Sequence, residues 1–252
     1  MKIIFTGGSG RFGKKFRNKT IIKNIFYPSS KEMDITNYNS VKKYLSKSKP
    51  TTIIHCAALS RPMDIHDKEI SKSIDINIIG TANLVKFCAE KKIKFIYFST
   101  NYVYPGIIGK YKENDPLLPY NNYAWSKMGG ECAVQMYKES LIIRLCMTEK
   151  PFVHKYAFDD LITNFIFHDE VVKLMPKLLK KRGILNLGGP VQSVYKFAKK
   201  YNPKIKSITS KSLLKKKIPA NHSMDISKLK KIIKWLNLGA MKKNTNYWVK
   251  KF

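Results

Sequence analysis

The segment KFIYFSTNYVYPGIIGKYKENDPLLPYNNYAWSK, residues 94–127, holds three side chains whose types and spacing can do acid chemistry: Thr100, Tyr123 and Lys127. The apolar run Phe95–Phe98 predicts a buried strand that stops at Ser99 and Thr100, and a Pro- and Gly-containing loop then leads to a helix start. On that helix Tyr123 and Lys127 are four apart and share a face. A hydroxyl at a strand end, a phenol and an ammonium thus converge. An ammonium within a few ångströms favours phenolate and lowers a tyrosine from its reference pKa of about 10. Such a phenol passes a proton to or from a carbonyl oxygen, which the Thr100 hydroxyl would hold. The hydride that completes a carbonyl reduction has to come from a cofactor.

Spacing alone carries little weight here. Five Tyr-x-x-x-Lys pairs occur among 14 tyrosines and 48 basic residues, the others being Tyr27/Lys31, Tyr38/Lys42, Tyr195/Lys199 and Tyr247/Lys251. Tyr123/Lys127 differs in following a buried strand that ends in Ser-Thr, in a chain that also opens on a nucleotide-binding pattern.

That opening is MKIIFTGGSGRFG: a short apolar strand, then Gly7, Gly8, Gly10 and Gly13. It fits both G-x-x-G-x-x-G and G-x-G-x-x-G, in which glycines let the backbone turn sharply and approach a pyrophosphate seated on the next helix N-terminus. The second strand is expected at Ile25–Tyr27. An NAD-specific fold places an acidic residue just after it, to grip the ribose 2′-hydroxyl. Pro28, Ser29, Ser30 and Lys31 stand here instead. Two hydroxyls and an ammonium suit a 2′-phosphate, so NADP is favoured, while Glu32 and Asp34 nearby keep NAD possible. Asp34 or Thr36 is expected to cap a helix carrying Val41, Tyr44 and Leu45, closed by Pro50. TTIIHCAAL (51–59) reads as a buried strand whose Ala57 and Ala58 leave room for a cofactor. Residues 70–91 have helical spacing and feed the strand at Lys94. Strand–helix alternation of this kind predicts an α/β fold of the Rossmann type, a doubly wound parallel sheet. Its ligands belong at the carboxyl ends of the strands, where Gly7, Ala58 and Thr100 fall.

The chain has 252 residues, 44% of them hydrophobic, enough for a core in one large or two small domains. No run reaches 18 apolar residues, so a cytoplasmic protein without a membrane partner is expected. Cys56, Cys88, Cys132 and Cys146 match no metal-ligand spacing and are expected as reduced core residues, with no metal. A net charge of +31 invites a nucleic-acid reading. Only five of the basic residues are arginine, however, and the lysines are spread along the whole chain beside abundant Ile and Asn, a trio that AT-rich codons encode. Phosphate and base recognition favours the arginine fork, so no specific nucleic-acid partner is expected, although the positive field draws in anionic nucleotides.

Several motifs resemble the extended short-chain dehydrogenase/reductases and, within them, the dTDP-4-dehydrorhamnose reductases: TGGSGRFG (6–13), MDITN (33–37), HCAAL (55–59), INIIGTANL (76–84), FSTNYVYPG (98–106), YAWSK (123–127) and PANHSMDISKL (219–229). The resemblance implies a catalytic trio of Thr100, Tyr123 and Lys127, and cofactor contacts at Gly7, Gly10, Arg11, Phe12, Gly13, Asp34, Ile35, Ala57 and Ala58. It implies substrate contacts near Asn101 and Tyr102, a nucleotide-sugar substrate in carbohydrate biosynthesis, and allows a homodimer. Sister 4,6-dehydratases carry an acidic pair after the threonine, where Asn101 and Tyr102 stand; fucose-type epimerase/reductases carry a cysteine where Tyr102 stands. Plain reduction of a 4-keto-6-deoxy sugar nucleotide is what this leaves. The alternatives are another nucleotide-sugar enzyme of the family, of epimerase type, or a non-catalytic NADP-binding relative that regulates a partner.

The expected division is a cofactor-binding domain over residues 1–147 and a small substrate-binding lobe over 148–252, interleaved with the core. Family members usually carry a long insertion after the strand SLIIRL (140–145), whereas here residues 151–161 must make a smaller cap. His168, Asp169 and Glu170 are read as structural. A strand at Gly183–Leu187, a helix over 191–200 and a terminal helix over 226–236 are expected, followed by a basic, aromatic-containing tail from Met241.

Overall fold

The computed structural model describes residues 1–152, 154–210 and 218–238, with side chains as far as 233 in the last helix. The tail from Met241 lies outside the described residues. A six-stranded sheet organises the molecule. Five strands come from the first 145 residues: β1 (Ile3–Thr6), β2 (Ile25–Phe26), β3 (Thr52–His55), β4 (Lys94–Phe98) and β5 (Ser140–Leu145). After four short strands, β6 (Met147–Thr148), β7 (Tyr156–Phe158), β8 (Ile162–Thr163) and β9 (Ile166–Phe167), the sixth arrives as β10 (Gly183–Leu187). The order is β10-β5-β4-β3-β1-β2, and every pairing is parallel.

Parallel strands need crossovers, and helices supply them on both faces. They are α1 (Arg11–Lys19), α2 (Tyr38–Ser48), the single turns α3 (Ile65–Lys68) and α4 (Ile70–Ser73), α5 (Gly80–Lys91), α6 (Asn122–Gln135), α7 (His168–Leu178), α8 (Val194–Lys199) and α9 (Ser227–Leu238). Alternation along the strands sorts the core. Phe5, Ile54, Ile96, Phe98 and Ile143 face the layer of α1, α7 and α9, while Ile4, Ile53, Phe95, Tyr97 and Ile142 face that of α2, α5 and α6. The chain leaves β1 for β2 on one side and returns to β3 on the other. This reversal opens a crevice at the carboxyl ends of β1 and β3, the place where doubly wound sheets bind ligands.

Local details differ from the sequence reading in three places. Helix α2 is capped by Asn37, whose side chain accepts from the Ser40 amide at 3.1 Å, because the Asp34 carboxylate is already taken by the amide and hydroxyl of Thr36. Helix α8 spans only six residues, starting after a Ser193 cap. Of the four free cysteines only Cys88 is buried; Cys56 and Cys146 are half-buried, and the register of α6 turns Cys132 to the surface. Between α4 and α5 the chain winds through a π turn over Ile74–Ile79. In the lobe, β7 pairs with β12 (Lys206–Ile208), β8 pairs with β11 (Gln192–Ser193), and Phe152, Phe167, Phe197 and Ile205 form a separate cluster. No helix among the described residues is long and apolar enough to cross a membrane.

Candidate active site

Two glycines set the floor of the crevice. Gly7 has φ +81°, and a Cβ there would lie 2.6 Å from the Ala57 nitrogen; a Cβ on Gly13 would lie 2.1 Å from the Gly7 carbonyl oxygen. The β1–α1 turn therefore touches the end of β3 and the first turn of α1, and the Gly10 cap of that helix brings no side-chain hydrogen bond to its amides. That is the geometry of an anion cradle. Gly10 stands at the helix cap, and Ala57 donates its N–H to Thr6 Oγ1 at 3.3 Å, with Ala58 next in line. Arg11 is exposed and ion-paired with Glu149 at 3.1 Å. The Phe12 ring, expected at the cofactor, belongs to the core instead, packed on Phe5, Phe98 and His168; only its backbone is left for a ligand.

After β2, Ser29 donates both its amide and its hydroxyl to the Glu32 carboxylate, each at 2.8 Å, while Ser30 and Lys31 are exposed. Ile35 packs against Gly80, and its carbonyl accepts from Asn83. Asp34 is exposed, with its carboxylate turned into its own loop.

At the end of β4, Thr100 is 5% exposed and accepts the Tyr102 amide at 3.3 Å, which starts a 3-10 turn. Helix α6 begins at Asn121, whose side chain accepts from the Ala124 amide at 2.8 Å, so Tyr123 falls in the first turn. Burial pushes the Tyr123 phenol up to about 12, and a hydrogen bond with the Thr100 hydroxyl opposes this. Lys127 does not lower the phenol as the spacing led one to expect. Its ammonium lies 4.2 Å from the centroid of the Tyr97 ring, on the side of His55 and Cys56. Burial brings Lys127 itself down to about 8, with Cys56 and the Glu131 carboxylate opposing the shift.

Three buried polar assemblies hold this trio. In the first, one turn beyond Lys127, Glu131 forms an ion pair with Arg144 of β5, both side chains essentially without solvent contact. Glu131 also accepts from Ser99 Oγ at 2.7 Å, and Arg144 donates to the Tyr104 hydroxyl at 2.8 Å and the Glu113 carbonyl at 2.9 Å. The second is Asn77, in the π turn: it donates to Leu59 O and Ser126 Oγ and accepts from the Leu59 amide, stitching the loop after β3 to α6. In the third, His55 bridges Thr6 and Thr81 at 2.7 and 3.0 Å, and burial keeps it neutral. None of these was singled out from sequence. Glu131 alone left a signal, since it lies four residues after Lys127 on the same helical face.

The substrate side brings its own corrections. Asn101, expected at the substrate, is 1% exposed, and its amide donates to Thr163 Oγ1 and the His222 carbonyl; it latches the lobe to the core. Tyr102 remains half-buried, against Tyr120 and His222. His168 and Glu170 serve the start of α7, where Glu170 accepts the Phe167 amide, and Asp169 faces Lys15 at 3.6 Å.

Comparison with known proteins agrees with this geometry. Residues 1–148 match the family described as the RmlD substrate binding domain. A dTDP-4-dehydrorhamnose reductase of Aggregatibacter actinomycetemcomitans is 30% identical over 203 residues, 76% of this chain and 63% of that protein. The beta subunit of methionine adenosyltransferase 2 from Pongo abelii is 28% identical over 53% of this chain and 42% of its own length. This chain thus spans roughly half to two thirds of these curated relatives. The crystal structure of a dTDP-4-dehydrorhamnose reductase from Bacillus anthracis in complex with NADP superposes with a TM-score of 0.81 at 23% identity, covering 91% of this chain and 92% of that one, a likeness of fold. With the glycine cradle at the β1/β3 crevice and more than half of its length matched, the chain belongs to the RmlD substrate binding domain family.

Proposed function

We propose that this chain is an NADP-dependent reductase of the ketone of a 4-keto-6-deoxy sugar nucleotide, of the dTDP-4-dehydrorhamnose type. One observation carries the reading: at the carboxyl end of β4 the Thr100 hydroxyl stands close enough to the Tyr123 phenol to oppose its burial shift, with the Lys127 ammonium buried one helical turn away. The glycine turn fits a dinucleotide, because at Gly7 and Gly13 any Cβ would run into the backbone of Ala57 and Gly7, and only glycines let the turn pack this tightly at the N-terminus of α1, where a pyrophosphate would sit. A bound nicotinamide cofactor supplies the hydride. Thr100 holds the ketone oxygen, and Tyr123 gives that oxygen its proton as negative charge develops there. The Lys127 ammonium, buried one helical turn from the phenol and turned to Tyr97, is assigned the nicotinamide ribose. Neither Asn101 nor Tyr102 offers the acid that an elimination would need, which favours plain reduction. The intact Thr100, Tyr123 and Lys127 set favours an enzyme over a purely regulatory subunit. Assaying NADPH oxidation against a panel of 4-keto sugar nucleotides tests the proposal; no oxidation with any of them, by protein that still binds NADPH, would overturn it.

Cofactor choice gives a first expected outcome. Ser30 and Lys31 face solvent beside the site of the adenosine ribose, and the Glu32 charge is turned onto Ser29. NADPH should bind more tightly than NADH in titration calorimetry, Glu32→Gln should widen the gap, and Ser29→Asp should narrow or reverse it. Tighter NADH binding by the unaltered protein would contradict the assignment.

The pH profile gives a second. Tyr123, at about 12, stays protonated across the working range, so the first proton lost on raising the pH is that of Lys127, at about 8. The ammonium is present below that value and lost above it. A plot of kcat/KM for reduction should therefore fall as pH rises through about 8, and Lys127→Arg should move the fall upward, since a guanidinium keeps its charge there. A descending limb that stays in place in the arginine variant would assign it to another group.

A further inference from the structure

Beside the Thr100–Tyr123 pair stands an aromatic wall of which only Tyr102 has been given a place, near the substrate. Tyr102, Tyr120 and His222 pack mutually, with ring centroids 5.3 Å apart for Tyr102 and Tyr120, 5.1 Å for Tyr102 and His222, and 4.9 Å for Tyr120 and His222. The chain ties two of them to the reacting groups. Tyr102 donates its amide to Thr100 Oγ1, and Tyr120 is the residue just before the Asn121 cap of the helix that carries Tyr123. The two phenols are close enough to act on each other's ionisation, and both lie within electrostatic reach of Tyr123.

His222 is the back of the wall. It is 5% exposed, and its Nε2 has no hydrogen-bond partner among the described residues. A loop had to be cleared to admit it, since Gly106 has φ +76° and a Cβ there would lie 2.2 Å from Nε2. Asn101 fixes the backbone of His222 by donating to its carbonyl at 3.1 Å. An imidazole seated at the cost of a buried unpaired nitrogen holds the two tyrosine rings in one orientation, with little freedom to turn. A phenol has one proton to donate and lone pairs to accept with. If Tyr102 and Tyr120 share one hydrogen bond, one proton of the pair is still available, next to the place where a ketone would be reduced.

We propose that Tyr120, oriented by Tyr102 and His222, is a specificity-determining residue whose hydroxyl hydrogen-bonds the sugar hydroxyl on the carbon next to the ketone. This rests on the sugar-nucleotide reading above. Ketone chemistry itself needs only Thr100 and Tyr123; the neighbouring phenol reads whether the adjacent carbon carries a hydroxyl. A site built to bond a hydroxyl discriminates strongly against ligands that lack it, because its own polar group is left unpaired.

The test separates sugar binding from turnover. Dissociation constants are measured by calorimetry, in the presence of NADP, for dTDP and for dTDP-rhamnose, the alcohol that the proposed reduction yields. Their ratio is the gain contributed by the sugar. Tyr120→Phe keeps the ring on Tyr102 and His222 and removes only the hydroxyl. The sugar gain should fall about fivefold to tenfold, with dTDP affinity and melting temperature unchanged. Tyr102→Phe should give a smaller fall. An unchanged gain in Tyr120→Phe overturns the proposal, as does dTDP-rhamnose binding no more tightly than dTDP to the unaltered protein. A parallel loss of dTDP affinity and thermal stability would make Tyr120 structural and also overturn it. Turnover of 4-keto sugar nucleotides is read separately, so a failed reductase reading with a reduced sugar gain, and a sound reductase reading with an unchanged one, are distinct results.

Discussion

Replacing Tyr123 by phenylalanine should lower turnover by roughly 10²–10⁴-fold, the range typical of losing a positioned acid, while NADPH binding persists. The ring stays half-buried against His66, whose centroid is 5.1 Å away, so the substitution removes a hydroxyl and little else. Tyr195→Phe is the control. Tyr195 also has a lysine four residues on, and the Lys199 ammonium lies 5.6 Å from its ring, yet it stands on α8 in the lobe and has no hydroxyl partner comparable to Thr100 among the described contacts. Its loss should leave turnover within twofold or so. Steady-state rates with the ketone that the unaltered protein reduces fastest decide the matter. A Tyr123→Phe protein working at the original rate would remove the proton donor from the mechanism.

The largest effect on stability should come from Arg144→Met. Glu131 would then keep its charge at a site without solvent, with Ser99 as its remaining short contact. Breaking a buried pair by removing one partner costs about 3–5 kcal/mol, because the other charge is left uncompensated. At about 2–4 °C per kcal/mol for a chain of this size, the melting temperature should drop by roughly 6–20 °C. The double variant Glu131→Leu/Arg144→Met leaves no orphan charge and should lose less than the single one. A single variant that melts within 2 °C or so of the original would mean that water reaches the pair.

Much of the fold can be read from the chain because its signals are local and repeated. A strand buried on both faces, such as SLIIRL or KFIYF, has to be covered by helices on either side, and the glycines at 7 and 13 fit only where backbone meets backbone. The trio could be located because strand end and helix start are both marked in sequence. What could not be read is direction. Periodicity puts Tyr123 and Lys127 on one face, but it does not say that the ammonium turns to Tyr97 while the phenol turns to Thr100. The partners of the Asn101 and Phe12 side chains could not be read for a related reason. Neighbourhood along the chain says nothing of the partner, which for Asn101 is His222, 121 residues away. Tyr120 leaves no local signal, and the motif that holds His222 does not say what the ring meets, since their meeting depends on how the loop around Gly106 closes.

The late arrival of β10 matters while the chain is being made. Gly183–Leu187 pairs with Leu141–Leu145 along the outer side of β5. A ribosome that has just released residue 148 has delivered the glycine turn, the trio and five of the six strands, but β5, buried along its whole length in the finished fold, still presents an unpaired edge. At translation rates of 5–20 residues per second that edge stays open for about 2–8 s, the interval in which unpaired strands recruit chaperones or one another. A message cut short after β5 would therefore yield not a small cofactor-binding protein but a sticky one, and each complete molecule has to pass through that state before its own later residues seal it.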